Sequence, residues 1–354
     1  MSFTEPLVHS EHPHNGGGLA VIVPAYNEAA SITDTIRSVQ VQTRPPDEII
    51  VVDDFSSDGT GEIARRCGVT VVRPPANTGS KAGAQNFGLS YVDTPYVLAI
   101  DADTTLAPDA IEKLMAALSE PNIAAACGFV LPRYVKTVWE RGRYIEYIFA
   151  FTFYKQIQNY YDKPLISSGC FSVYRTDVLR GNNGWPTRTL AEDMDLTWSF
   201  YRAGHGVRFV PEALCYPIEP HDFNMMSKQL RRWSHGFVQN VKLHSKSLLE
   251  IPYLRMAVAV ALWDGTIASL AYLVLLPALA IFVNPLFILG YLIDIPAVIV
   301  PVLYAAVKRR EVCRALASLP AFFVLRVVNS IFLLKALWLE LVVQRPFKIY
   351  EKGH

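Results

Sequence analysis

The chain has 354 residues, 51% of them hydrophobic, and carries 33 Lys and Arg against 32 Asp and Glu, a formal net charge of +1. That balance excludes an intrinsically disordered chain, which needs low hydrophobicity and high charge, and gives no electrostatic reason to expect nucleic acid as partner. The mean hydropathy of +0.21 is high for a soluble protein, and the excess is collected at one end.

From Met1 to about His244 the sequence reads as a soluble α/β protein, whereas 251–344 holds long apolar runs between short charged clusters. A domain boundary is therefore expected near Ser245 to Glu250. The five cysteines (Cys67, Cys127, Cys170, Cys215 and Cys313) show no CxxC spacing, and the N-terminus lacks the basic and apolar blocks of a signal peptide. Neither disulfides nor a zinc site are expected, and the soluble part should face a reducing cytoplasm. Residues 1–18, with His9, His12 and His14, read as a mobile arm.

Taken in order, Leu19 to Val23 is a short apolar run ended by Pro24, which suits a buried parallel strand. Ala29 to Val41 places Ile32, Ile36 and Val39 at helical spacing and is stopped by Arg44-Pro45-Pro46. Strands are expected at Glu48 to Val52, Val69 to Val72, Tyr96 to Ile100 and Ile123 to Val130. Helices are expected at Thr60 to Cys67, Lys81 to Ser90 and Asp109 to Leu118. This alternation implies βαβ units and a mostly parallel sheet, with ligands bound beyond the carboxyl ends of the strands. The first candidates are thus Tyr26, Asn27 and Glu28, then Asp53 and Asp54, then Asp101 and Asp103. No GxGxxG follows the first strand and no GxxxxGK[ST] occurs, which disfavours a dinucleotide dehydrogenase and a P-loop NTPase.

Asp101 and Asp103 leave a strand end at i and i+2, so both can reach one hard divalent cation, Mg²⁺ or Mn²⁺. A capping role before the Asp109 helix is the plain alternative. Glu192-Asp193 opens a helix to Ala203, whose positive end favours an ionised carboxylate able to act as a general base; the pair would equally suit ordinary first-turn acids. Gln229, Arg232 and Trp233 fall on one face of a helix from Asn224 to Leu243. They offer an amide, a guanidinium suited to a diphosphate and an indole suited to a sugar ring, or a core Trp beside a surface Arg.

Together the motifs carry a resemblance. Pro24-Ala25-Tyr26-Asn27-Glu28, Asp53 at a strand end, Asn77-Thr78-Gly79 with Lys81 and Asn86-Phe87-Gly88, Asp101-Ala102-Asp103, Glu192-Asp193 and QxxRW stand in the order typical of glycosyltransferase family 2. The pattern resembles its membrane-integrated branch, which includes the cellulose, chitin and hyaluronan synthases and the nodulation chitooligosaccharide synthase. The resemblance covers about 19–245. It implies a GT-A fold, Rossmann-like with a mostly parallel sheet, that inverts the anomeric carbon of a nucleotide-diphosphate sugar, UDP-GlcNAc or UDP-glucose. By position, Ala25, Tyr26, Glu28, Asp53, Lys81, Asp101, Asp103, Gln229 and Arg232 would bind the nucleotide sugar, with Asp101 and Asp103 on the metal. Asp193 would take the proton from the acceptor hydroxyl. Ser168, Gly169, Cys170, Glu192 and Trp233 would line the acceptor site. Asp53, Asp101, Asp103 and Asp193 would then converge around a single ion and diphosphate.

In the apolar half, Thr266 to Val283 is an uncharged run of 18 residues, about 27 Å as a helix and close to the hydrocarbon thickness. A second span is expected at 286–307, with only Asp294 inside. Lys308, Arg309, Arg310 and Arg314 mark a cytoplasmic loop, which would keep the catalytic domain in the cytoplasm. A third span at 318–343 carries Arg326, Asn329, Lys335 and Glu340, an expensive set that must face protein, a glycan path or the interface. The tail from 345 to 354, with Lys348 and Lys352, leaves its side open. Interfacial helices are expected near 139–161, 224–247 and 251–264. The expected partners are a UDP-sugar donor, a glycan or lipid acceptor, and membrane lipids. Processive polymer synthesis through so few spans would require a homo-oligomer; a non-processive lipid glycosyltransferase and an inactive membrane scaffold are the other readings.

Overall fold

The structure is a computed structural model that describes residues 17–293 and 295–347. The expected mobile arm up to residue 16, Asp294, and Lys348 and Lys352 of the tail lie outside the described residues.

Among the described residues, eight strands form one sheet: β1 (Leu19–Ala25), β2 (Glu48–Asp53), β3 (Thr70–Val72), β4 (Tyr96–Ile100), β5 (Thr105–Leu106), β6 (Ile123–Val130), β7 (Phe171–Arg175) and β8 (Gly206–Tyr216). Their order is β3-β2-β1-β4-β7-β6-β8-β5. Helices α1 (Ile32–Gln40), α2 (Thr60–Arg66), α3 (Lys81–Leu89) and α4 (Ala110–Ala116) connect the first six strands. Both faces of the sheet are covered, which is why β1 and β2 read as unbroken apolar runs. Leu19, Val21 and Val23 pack with Ile32, Ile36 and Val39 of α1 on one face. Ala20 and Ile22 join Ala82 and Ala84 of α3 on the other. Gly88 lets α3 lie close, because a Cβ there would stand 2.8 Å from Val52 and 3.0 Å from Ile22.

The sheet departs from the expected pattern at β7, which runs antiparallel to both β4 and β6. β8 returns parallel to β6, with a register shift where Pro211 interrupts the ladder. Six further helices follow: α5 (Val138–Phe149), α6 (Lys155–Asn159), α7 (Thr176–Gly181), α8 (Glu192–Arg202), α9 (Phe223–Leu243) and α10 (Ser245–Glu250). A capping box of Thr137 and Glu140 starts α5. The expectation of an interfacial helix over 139–161 is corrected in its first half. Glu140, Gly142, Arg143, Tyr144, Ile145 and Ile148 of α5 are buried in protein, and exposed aromatic surface begins only at Phe153, Tyr154 and Tyr160.

Among the described residues, three helices are long and apolar enough to cross a membrane: Pro252–Phe282, Pro285–Arg309 and Val312–Val342. The segment 251–264, expected as a separate helix, runs on without a break into the first of them. Of the four polar residues expected in the third helix, Arg326, Asn329 and Glu340 are turned to protein, while Lys335 is exposed. Arg326 donates to Asp264 of the first helix at 3.0 Å and Asn329 to Glu146 of α5 at 2.9 Å. Glu340 accepts from Gln239 of α9 at 2.8 Å and stands 2.7 Å from Nδ1 of His235. At the other end, Tyr144 of α5 donates to Glu311 at 3.0 Å. From Glu311 to Glu340 this helix covers about 43 Å at 1.5 Å per residue. It is therefore bonded to the α/β domain at its beginning, middle and end, while Leu316, Val324, Ile331 and Trp338 line an exposed apolar stripe.

Candidate active site

Six of the expected residues, Lys81, Asp101, Ser168, Gly169, Cys170 and Asp193, meet beyond the carboxyl end of β4. The last backbone link of the β4–β7 ladder is Asp101 N–H to the Cys170 carbonyl, at 3.2 Å. This sets the Ser168-Gly169-Cys170 segment beside Asp101. Lys81, the first residue of α3, ion-pairs with the Asp101 carboxylate and donates to the Gly169 carbonyl at 2.8 Å. Gly169 N–H in turn donates to Asp193 Oδ2 at 3.1 Å, and Met194 N–H to Asp193 Oδ1 at 2.8 Å. The Asp193 carboxylate is thus fixed in the first turn of α8. Ser168 accepts from Lys155 at 2.8 Å.

Neighbouring Glu192 is buried, and that burial pushes its carboxyl above the usual carboxylate range; Lys81 pulls it back, Asp193 adds to the rise, and Arg232 opposes it. Arg232 and Lys81 are therefore the cations that bear on this pair of acids. The helix carrying QxxRW is brought here by contacts the sequence did not announce. Asn240 donates to the Ala191 carbonyl at 3.1 Å and Leu190 N–H to Gln239 at 3.1 Å. A Cβ on Gly236 would stand 2.8 Å from Ala191 N, so only glycine lets α9 press on the residues that lead into Glu192. One turn into α8, the buried carboxylate of Asp195 accepts twice from Arg188 at 2.8 Å and pairs with His244 at 2.7 Å.

Tyr26, Glu28 and Asp53 form a second group at the ends of β1 and β2. Glu28 N–H donates to Thr60 Oγ1 at 2.8 Å, and its carboxylate accepts from Ser31 at 2.8 Å. The Ala25 carbonyl accepts from Asp54 N–H at 2.8 Å. Asp53 accepts from Ser56 N–H at 3.0 Å and pairs with Arg73 at 3.2 Å, while Tyr26 is half exposed. Asn77-Thr78-Gly79 is tied to the same rim, since Asp54 accepts from both Thr78 N–H and its hydroxyl at 2.8 Å. The convergence of four acids on one ion is corrected: among the described residues no three His, Cys, Asp or Glu side chains stand as a metal-binding group. Asp53 is occupied with Arg73, and a basic residue at that distance in sequence could not be assigned to it beforehand.

The pair Asp101 and Asp103 does fit a hard cation that takes its other ligands from phosphate and water. Both are oxygen donors two residues apart, with Asp103 buried and the Asp101 side chain one-third exposed toward Lys81.

Gln229 and Trp233 turn to Arg143, a residue of the segment 139–161 that the sequence assigned to a lipid interface. Arg143 of α5, 0% exposed, donates to Gln229 Oε1 at 2.7 Å, and its guanidinium lies 4.6 Å from the centre of the Trp233 ring. It also pairs with Glu146 and faces Glu219 at 3.5 Å. Burial pushes the Glu219 carboxyl up, against the pull of Arg143 and of hydrogen bonds from Tyr147 and Gln229. Gln229, expected on the nucleotide sugar, thus gives its amide to this interior network.

Residues 20–181 match the family described as Glycosyl transferase family 2. Poly-beta-1,6-N-acetyl-D-glucosamine synthase of Staphylococcus epidermidis is 29% identical over 235 residues, 65% of this chain and 57% of that protein. The synthase of the same name from Staphylococcus aureus is 27% identical over 224 residues, 62% of this chain and 54% of the relative. The chain thus spans a little over half the length of these curated relatives. Among solved structures, mannosyltransferase PcManGT from Pyrobaculum calidifontis, in complex with GDP-Man and Mn²⁺, superposes with a TM-score of 0.62 at 19% identity, over 96% of this chain and 92% of the other. The fold is therefore GT-A, followed by apolar helices.

Proposed function

We propose that the chain is an inverting, membrane-bound glycosyltransferase that moves a hexose from UDP-GlcNAc or UDP-glucose to an acceptor hydroxyl and so builds or extends a polysaccharide. The observation that carries this reading is the Asp193 carboxylate, held by Gly169 N–H at 3.1 Å on the same segment whose carbonyl binds Lys81. Kinship in sequence to synthases of a poly-N-acetylglucosamine supports the glycan product.

In this reading the acceptor hydroxyl oxygen attacks the anomeric carbon while Asp193 takes its proton. The bond from that carbon to the phosphate oxygen breaks, and its electron pair leaves with the nucleoside diphosphate. Lys81 and Arg232 balance the departing charge, and Tyr26, Glu28 and Asp53 bound the nucleoside side of the cleft. A divalent Mg²⁺ or Mn²⁺ on Asp101 and Asp103 would supply further charge neutralisation at the diphosphate. Trp233 and the segment Ser168-Gly169-Cys170 receive the acceptor sugar, with Glu192 beside them. The basic cluster Lys308, Arg309, Arg310 and Arg314, at the junction of the second and third apolar helices, supports a cytoplasmic catalytic domain.

The test is UDP release from a panel of UDP-sugars by the full chain in detergent with Mn²⁺ or Mg²⁺, beside Asp193→Asn. Release should require an acceptor hydroxyl other than water for full rate, and the variant should lose transfer while keeping UDP affinity. Sizing the product then separates a polymer from a single sugar on a lipid, the non-processive alternative. No release with any sugar, or normal turnover by the variant, would overturn the reading.

A further inference from the structure

A buried arginine is an expensive way to fill space. An apolar side chain of similar volume would pack α5 against α9 without the desolvation that a guanidinium brings. What an apolar residue cannot do is bond an amide and cover an indole ring in a fixed plane at the same time. Arg143 does both: its Nη2 reaches Gln229 Oε1 at 2.7 Å and its Cζ stands 4.6 Å from the Trp233 ring centre. The guanidinium is itself clamped. Glu146 and Glu219 flank it, Tyr147 donates to Glu219 at 2.8 Å, and Met226 Sδ lies 3.2 Å from Nη2.

The clamp continues outward. Asn329 of the third apolar helix donates to Glu146 at 2.9 Å. One residue before Arg143, a Cβ on Gly142 would stand 2.9 Å from the Ala321 carbonyl, so α5 is pressed onto that helix at this level. The line from Asn329 through Glu146 and Arg143 to Trp233 joins the apolar layer to QxxRW.

We propose that Arg143 is a positioning residue for acceptor recognition: it holds the plane of the Trp233 ring and the Gln229 amide, and refers both to the third apolar helix. This rests on the reading above in which Trp233 stacks on the acceptor sugar. An indole gripped on one face by a cation cannot swing about its side-chain bonds, so the tilt it offers a sugar is set before the sugar arrives.

The full chain in detergent is compared with Arg143→Lys, which keeps the charge and loses the planar fork, Glu146→Gln, which loosens the clamp from a partly exposed position, Trp233→Phe, and the double variant Arg143→Lys with Trp233→Phe. The probe acceptor is a β-1,6-linked N-acetylglucosamine pentamer with UDP-GlcNAc as donor. Arg143→Lys should raise the acceptor KM about tenfold, with donor KM and acceptor-free UDP release within twofold of the parent. The double variant should lose no more than Trp233→Phe alone, because both changes remove one contact. Independently of any substrate, the 19F signal of 5-fluorotryptophan at position 233, assigned by its loss in Trp233→Phe, should broaden or split in Arg143→Lys and in Glu146→Gln. An unchanged signal in both, or losses that multiply in the double variant, overturns the positioning role. If Trp233→Phe itself leaves the acceptor KM unchanged, the acceptor reading of Trp233 falls and this inference with it. If Trp233→Phe raises that KM and Arg143→Lys does not, only the inference falls.

Discussion

Replacing Gly169 with alanine tests the base assignment with one methyl group. Gly169 has no left-handed φ among the described glycines, so alanine meets no backbone penalty there. The added Cβ would stand 3.0 Å from Asp193 Oδ2, 3.3 Å from its Cβ and 3.4 Å from its Cγ. Relief requires the carboxylate to retreat by a few tenths of an ångström, which stretches the 3.1 Å bond it accepts from Gly169 N–H. A misplacement of about 1 Å at a reacting centre costs roughly 100-fold, so about half that shift should cost roughly tenfold, or about 1.4 kcal/mol of barrier. Complete loss of the charge-assisted hydrogen bond would add at most about 1.5–3 kcal/mol. Gly169→Ala should therefore lower kcat about 10-fold, and at most about 1000-fold if the hydrogen bond is lost outright, with UDP affinity and donor KM within twofold, read from initial rates of transfer and from calorimetric titration with UDP. Asp193→Asn should lie well below it. A kcat within twofold of the parent, or a loss of UDP affinity as large as the loss of kcat, would refute the placement of the base at Gly169.

Asp103→Ala should weaken Mn²⁺-dependent UDP binding at least tenfold, as removal of one of two carboxylates from a hard-cation site implies; equal affinities with and without Mn²⁺ in parent and variant would remove the metal role. Asp195→Asn should destabilise the domain by roughly 2–3 kcal/mol at pH 7, discounted because Arg188 is half exposed while His244 is buried. Burial raises the Asp195 carboxyl, but the hydrogen bonds from Arg188 and His244 win and hold it below the ordinary value of 3.8. Its contribution is therefore fully present above that value and lost as pH falls through the lower folded value, so thermal melts of parent and variant should converge only at strongly acid pH. A constant gap down to that range would contradict it. Removing residues 251–354 should give a domain that sediments without detergent, because α5 and α9 lose the helix that covers them. A freely soluble and equally active fragment would refute the anchoring.

The α/β half was legible where burial on both faces leaves an unbroken apolar run, as at β1, β2, β4 and β6, whose limits fall within two residues of expectation. β8 was not, because Pro211-Glu212 breaks its pattern at the register shift, and the direction of β7 is a property of pairing that no local pattern carries. The acids at strand ends and the opening of α8 were legible because strand ends and helix starts are where such groups belong. Their partners were not. Arg143 lies more than 80 positions from Gln229, and nothing in its own aromatic-rich neighbourhood distinguishes a buried guanidinium from one at a lipid interface. The polar residues of the third apolar helix posed the same problem, since Asn329 and Glu340 find their acceptors and donors in α5 and α9.

That helix acts as a splint. Fastened at Glu311, Asn329 and Glu340 to one body, it leaves no hinge between its own apolar stripe and the candidate site. In the membrane placement proposed above, with the domain on one side of a bilayer, either the helix would lie flat along the surface or the domain would sink beside it. In both cases the stripe of Leu316, Val324, Ile331 and Trp338 would set the depth of Asp193, and the substrate would have to come to that fixed level.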